Sequence, residues 1–260
     1  MLEKNIFKRK FLELSGSYFH YCDDIIKIDD VINYASNTKI DYLLINSTKQ
    51  FSNLQSLNNL VILNVNTDEQ KIYFQSFNNE SHFLNNNQKL ATGIHNKEKN
   101  NHYFLINHKS NYKRFRIFNK TYYLNNYNKF LRRFRTNILI PNSNSNDHFN
   151  ARTINNAITN GNSYIVDYIH GVPYNFYVAV VNDNGQSAIF GERINIENKD
   201  LFMYFNLPSV SDIHLFHNNK YKEKKHDKQG YFKITEKGFY NLLINRYTIN
   251  WIYTNPIYVT

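Results

Sequence analysis

Cysteine and tryptophan occur once each in this chain, and glycine is scarce. A single cysteine, Cys22, excludes an intramolecular disulfide and any zinc site built on cysteine. With only 8 glycines there is no Gly-rich phosphate loop, no dinucleotide fingerprint and no G-x-S-x-G elbow, and no H-E-x-x-H helix occurs either. No apolar run reaches the length of a membrane-spanning helix. The opening MLEKNIFKRKF carries charge without an apolar stretch behind it. A soluble, cytoplasmic protein is the expectation.

What is present is enough to build a core. Hydrophobic residues make up 42% of the 260 residues and aromatics 16%, nearly all of them Tyr and Phe, which is outside the disordered range. Asn is abundant together with Ile and Lys, a coding bias that says nothing about activity. Tracts such as FNNESHFLNNNQ therefore read as polar loops. The formal charge of +10 invites an acidic partner or a nucleic acid. Its concentrations, KNIFKRKF, YKRFRIF, KFLRRFR and KYKEKKHDK, are spread along the chain, so solvated basic faces are the plainer reading.

The first half alternates helix and strand signals. IDDVINYASNTK starts with Asp29 and Asp30 and spaces Val31, Tyr34 and Ala35 along one helical face. IDYLLI, LNNLVILNV, KIYFQSF and NHYFLINHK read as strands, which suggests βα units. YNKFLRRFRTNIL places Tyr127, Phe130, Leu131 and Phe134 on one helical face with Arg132, Arg133 and Arg135 off it. ARTINNAITNG offers another helix, with Gly161 as the residue that stops it. Beyond YIHGVP the chain reads all-β, with short aromatic and β-branched runs separated by NDNG, NNK, DKQG and EKG.

The stretch FLELSGSYFHYCDDIIKIDDVINYASNTKIDYLLINST resembles the opening of PHP (polymerase and histidinol phosphatase) domains: strand, His-x-His, polar loop, helix, then a strand ending in Asp-His. LVILNVN is similar to the family's strand ending in Gly-Val-Glu, and YFLINHK to the one ending in Ala-His-Pro. NKFLRRFRTNIL, INNAITNGNSYIVDY, LPSVSDIHLFHNNK and WIYTNPIYV resemble the C-terminal region of bacterial members with an appended β-domain. The resemblance implies an α/β plus all-β fold, with a shortened PHP-like β/α barrel over 1–168 and a β-sandwich over 169–260.

It also implies a test of activity. The family holds divalent metals on His, Asp and Glu, and such ions lower the pKa of bound water from 15.7 to about 7. Here the His-x-His pair falls on Ser15 and Ser17, the Asp-His pair on Ser47 and Thr48, and the Glu on Asn66. Only His108 matches a ligand. Hydroxyls and amides are neutral and weak ligands for such ions. Disturbing even the outer shell of a metal site costs about 10- to 100-fold. The implied reading is a degenerate, non-catalytic module that binds no cofactor and recognises a protein or an acidic ligand.

Two alternatives stay open. In the first, a phosphoesterase uses Mn, Fe or Zn through shifted ligands, with His20, Asp23, Asp24 and His108 in play. In the second, Arg132, Arg133 and Arg135 contact the phosphates of a nucleic acid. His95, His102 and His108 share a segment, although His102 and His108 would lie roughly 20 Å apart on one strand. His214, His217 and His226 read as surface positions. The phosphoesterase predicts manganese-dependent hydrolysis of a generic phosphate ester, lost on His108→Ala. The nucleic-acid reading predicts DNA or RNA affinity at about 50 mM salt; no retention there rules it out.

Overall fold

The computed structural model describes residues 11–20, 33, 35–38, 40–46, 61–64, 91–96, 101–107, 112–117, 120–125, 134–141, 151–196 and 200–260. Its strands begin with β1 (Phe11–His20), β2 (Tyr42–Asn46), β3 (Val61–Asn64), β4 (Ala91–Asn96) and β5 (Asn101–Asn107). β6 (Tyr112–Ile117), β7 (Lys120–Asn125) and β8 (Phe134–Pro141) follow, then helix α1 (Ala151–Asn160). The rest is β9 (Ser163–Asp167), β10 (Tyr177–Asn182), β11 (Ser187–Ala188), β12 (Arg193–Ile194), β13 (Leu201–His217), β14 (Lys220–Ile234), β15 (Gly238–Arg246), β16 (Ile249–Thr254) and β17 (Ile257–Val259). No helix among the described residues is long and apolar enough to cross a membrane.

This architecture overturns the expected β/α barrel and sandwich. Of the described residues, 63% are strand and 11% helix, and the pairing is mostly antiparallel. One sheet runs β11-β10-β13-β15-β16-β9-β8-β1-β2-β3. The parallel pairs are β5–β1, β1–β2 and β2–β3 at one end, and β12–β17, which joins the sheet through β15. The C-terminal strands do not form a separate sandwich, because β9 joins β16 on one edge and β8 on the other.

The helix expected over YNKFLRRFRTNIL is corrected from Phe134 onward, where the chain is strand; its residues 127–133 lie outside the described residues. The reason is tertiary. β8 lies between β1 and β9, so both of its edges are hydrogen-bonded and both faces covered. Thr136, Asn137, Ile138 and Ile140 are all buried there. A strand buried on both sides loses the polar alternation that distinguishes it from a helix. The stretch KIYFQSF lies outside the described residues.

Other expectations hold. The ARTINNAITNG stretch is α1, with Ile154, Ala157 and Ile158 buried. Gly161 stops it at φ +77. Its N–H donates to Ile158 O at 3.0 Å and that of Asn162 to Ala157 O at 2.9 Å, the two bonds of a Schellman cap. The C-terminal runs are strands, with two corrections: DKQG, expected as a turn, lies inside β14, and β13 joins two runs expected to be separate. β13 alternates buried Leu201, Met203, Phe205 and Leu207 with half-buried neighbours, then resumes at Ser211, Ile213 and Leu215. The ladder with β14 shifts register between Asn206 and Ser211, around Pro208, which has no N–H to contribute. Before that break β13 pairs with β10, and after it with β15. One strand thus serves two sets of neighbours.

The core lies between these strands. Trp251, Tyr240, Tyr164, Phe190 and Phe232 are fully buried in a single cluster. Tyr164 meets the Phe176 ring edge-on at 4.8 Å between centroids, a favoured aromatic geometry. β14 is bonded on one side to β13 and exposed over most of its length. Its lysines discourage pairing with another chain, as charged residues do on sheet edges. Several are also matched locally: Lys224 with Asp212 at 2.9 Å and Lys233 with Asp200 at 2.9 Å.

Two glycines test the backbone requirement separately from packing. Gly185 and Gly191 share φ +78, but a Cβ on Gly185 would meet nothing within 4 Å. A Cβ on Gly191 would fall 2.0 Å from the Asn160 carbonyl oxygen at the end of α1. Gly185→Ala should cost about 1–2 kcal/mol, the usual left-handed penalty. Gly191→Ala should cost more than about 3 kcal/mol because rigid backbone must move as well. Urea unfolding of both variants decides, and equal losses contradict the packing at Gly191.

Candidate recognition site

Strand register gathers polar side chains where β1, β8 and β9 run together. Ser15 lies opposite Asn137, and Asn137 opposite Tyr164. Side chains two residues apart share a face, so Glu13 and Arg135 join that row and Tyr168 follows just past β9. Asn137 is completely buried at the centre. Its Nδ2 bonds to Glu13 Oε1, lies 3.0 Å from the Tyr168 hydroxyl and 3.2 Å from that of Tyr164. The Tyr168 hydroxyl donates to Asn137 Oδ1 at 3.1 Å, and the Tyr164 hydroxyl donates to Glu13 Oε1.

Ser15 and Arg135, both singled out from sequence, meet on the same row. Arg135 Nη1 donates to Ser15 Oγ at 3.4 Å and Nη2 to the Thr38 carbonyl at 2.9 Å. The guanidinium lies over the Tyr168 ring, 4.6 Å from its centroid, a cation–π distance. The Tyr168 hydroxyl oxygen also lies 3.3 Å from Ser15 Oγ. The Ser15 N–H donates to Asp41 Oδ2 at 2.7 Å, and the Asp41 N–H returns to Ser15 O at 2.7 Å. Tyr42, next to Asp41, sends its hydroxyl to Thr136 O and ties β2 to β8.

Burial sets the electrostatics. Glu13 is exposed as a residue, but its carboxyl end is enclosed, and desolvation raises its pKa above the ordinary 4.5. The bonds from Tyr164 and Asn137 oppose that rise, and the charge of Asp41 adds to it. Tyr164 is pushed well above its ordinary value, first by burial and then by the neighbouring Glu13 charge, so its hydroxyl stays a donor. Tyr168 is raised mainly by burial. Arg135 is lowered by burial, with Tyr168 and Asp41 working against the loss of its charge.

The remaining sequence candidates are placed as follows. Ser17 is on β1, two residues beyond Ser15. His20 ends β1, level with Asn46 of β2 and Asn107 of β5. Ser47, Thr48, Asn66, His108, Asp23, Asp24, Arg132 and Arg133 lie outside the described residues. His95 and His102 are cross-strand partners on β4 and β5. His217 stacks on Tyr240 at 4.4 Å, and His226 bonds to Asp212 at 2.7 Å. Of the three arginines expected on one helical face, Arg135 is corrected: it belongs to a strand and packs over Tyr168.

Glu13, Asn137, Tyr164 and Tyr168 were not singled out from sequence. The signal was the two-residue spacing in E-x-S and R-x-N, which reads as alternation only once both segments are known to be strands. Compared with known proteins, the chain matches no family model, no curated protein and no solved structure.

Glu13 has a measurable pH signature. A carboxyl with a raised folded pKa binds protons more tightly folded than unfolded, so its share of stability falls as pH rises from about 4.5 through the folded value. Glu13→Gln keeps the acceptor for Tyr164 and Asn137 and removes the titration. Subtracting the variant's melting temperatures from wild type across pH should leave a curve that declines over that window. A rising difference contradicts the assignment.

Proposed function

We propose that the chain is a non-catalytic recognition or assembly module, with a hydrogen-bonded polar site on β1, β8 and β9 in place of a metal cluster. The observation that carries this reading is the Arg135 guanidinium beside Ser15, the position where the PHP resemblance puts the first imidazole ligand. A divalent ion held there would sit on the order of 5 Å from that positive charge, a repulsion of about 7 kcal/mol at an effective dielectric of 20. The nearby acids already serve other donors. Asp41 accepts from the Ser15 N–H, and Glu13 accepts from Asn137 and Tyr164. Ser15 is therefore part of a local bonding pattern that favours keeping the guanidinium in place over admitting a cation.

The same groups suit recognition. Arg135, Ser15 and Glu13 stand on paired strands and Tyr168 follows directly after β9, and such preorganisation lowers the entropic cost of binding. An acidic ligand or a protein partner is the class this reading takes. The purified protein should hold well under one equivalent of Mn, Fe and Zn combined by elemental analysis. More than one equivalent, together with metal-dependent hydrolysis of a phosphate ester, overturns it.

A further inference from the structure

Two loops at one end of the sheet expose an apolar surface that the polar site does not use. The first follows β9, from Tyr168 to Asn175; the second is the turn between β15 and β16. Antiparallel pairing of β9 with β16 brings both to the same end. They are fastened together. Trp251 Nε1 donates to Gly171 O at 2.9 Å, and Arg246 donates to His170 O while lying 5.2 Å from the Trp251 ring centroid. Asp167 accepts from Ile169 N–H and holds the start of the first loop.

Five of the eight exposed large hydrophobics among the described residues fall on these loops: Ile169, Val172, Tyr174, Tyr247 and Ile249. Ile169 is 64% exposed, Tyr174 71% and Tyr247 78%, with the Arg246 guanidinium 5.3 Å from the Tyr247 ring centroid. The turn also carries backbone strain. Tyr247 and Thr248 both have left-handed φ, +52 and +67, where a hairpin of this kind prefers Asn-Gly. A β-branched residue there is an outlier, and such strain concentrates where a surface does work.

The geometry points to a peripheral docking site for an anionic lipid bilayer, entered by the tips Ile169, Tyr174, Tyr247 and Ile249. Exposed apolar side chains at loop tips can insert among acyl chains. Tyr has an apolar ring and a polar end, the combination favoured at headgroup depth. Charge agrees. Across 168–175 and 246–251 there is no Asp, Glu or Lys, and Arg246 is the fixed charge. The whole chain adds a formal +10, which draws it toward a negative surface. The affinity is that of a reversible surface contact, built from inserted apolar area plus electrostatic attraction.

The test is flotation of the full chain with vesicles of phosphatidylcholine alone and of phosphatidylcholine mixed with phosphatidylserine. Binding is expected to the mixed vesicles, weakened by added salt. Tyr247→Ser and Ile169→Ser should each reduce partitioning by about tenfold with the melting temperature unchanged. Tyr174→Ser serves the same purpose if the strained turn rejects a change at 247. No flotation with either composition overturns the proposal, as does flotation that all three substitutions leave intact. Concentration-dependent self-association lost on Tyr247→Ser, without vesicle binding, assigns the patch to a second copy and overturns it too.

Discussion

Three strands meet around one buried amide. Asn137 is held between Glu13 on β1, Tyr164 on β9 and Tyr168 just beyond it, so the join between the N-terminal strands and the rest of the sheet is made in hydrogen bonds as well as apolar contact. An amide buried without partners costs about 1–3 kcal/mol, so this position is costly to change and fixes the neighbours around it. The same amide orients the Tyr168 hydroxyl, and the Tyr168 ring supports Arg135. The site's electrostatics follow from a packing constraint.

The consequence for function runs through that support. Arg135 cannot bond to Ser15 and the Thr38 carbonyl unless β8 is a strand and Tyr168 follows directly after β9. A guanidinium fixed there gives the row a permanent positive member beside two carboxyls. Glu13, partly desolvated and bonded to Tyr164, holds its proton more tightly than a free glutamate.

Legibility in the sequence followed burial. The C-terminal strands were readable because one face alternates, as in Leu201, Met203, Phe205 and Leu207, and because Asn218 and Asn219 make a hairpin turn of the usual type. Gly161 was readable as a helix stop for the same local reason. β8 was not, since a strand covered on both faces has no polar alternation, and its aromatic and arginine spacing fits a helix equally well. The wrong period there supported the barrel and hid the R-x-N row. Ser15 was found through a family pattern, while its partners Asn137 and Tyr168 are joined to it across 122 and 153 positions, separations that no local window reports.

In the proposed reading, a hydrogen-bond network headed by Arg135 stands beside Ser15, where the resemblance to PHP domains would put a metal ligand. Crystals grown with manganese, measured for anomalous scattering, examine that place directly. Arg135 lying on Tyr168, with no anomalous peak beside Ser15, is the expected result. A manganese peak within coordination distance of the Ser15 position, with the guanidinium displaced, would contradict it.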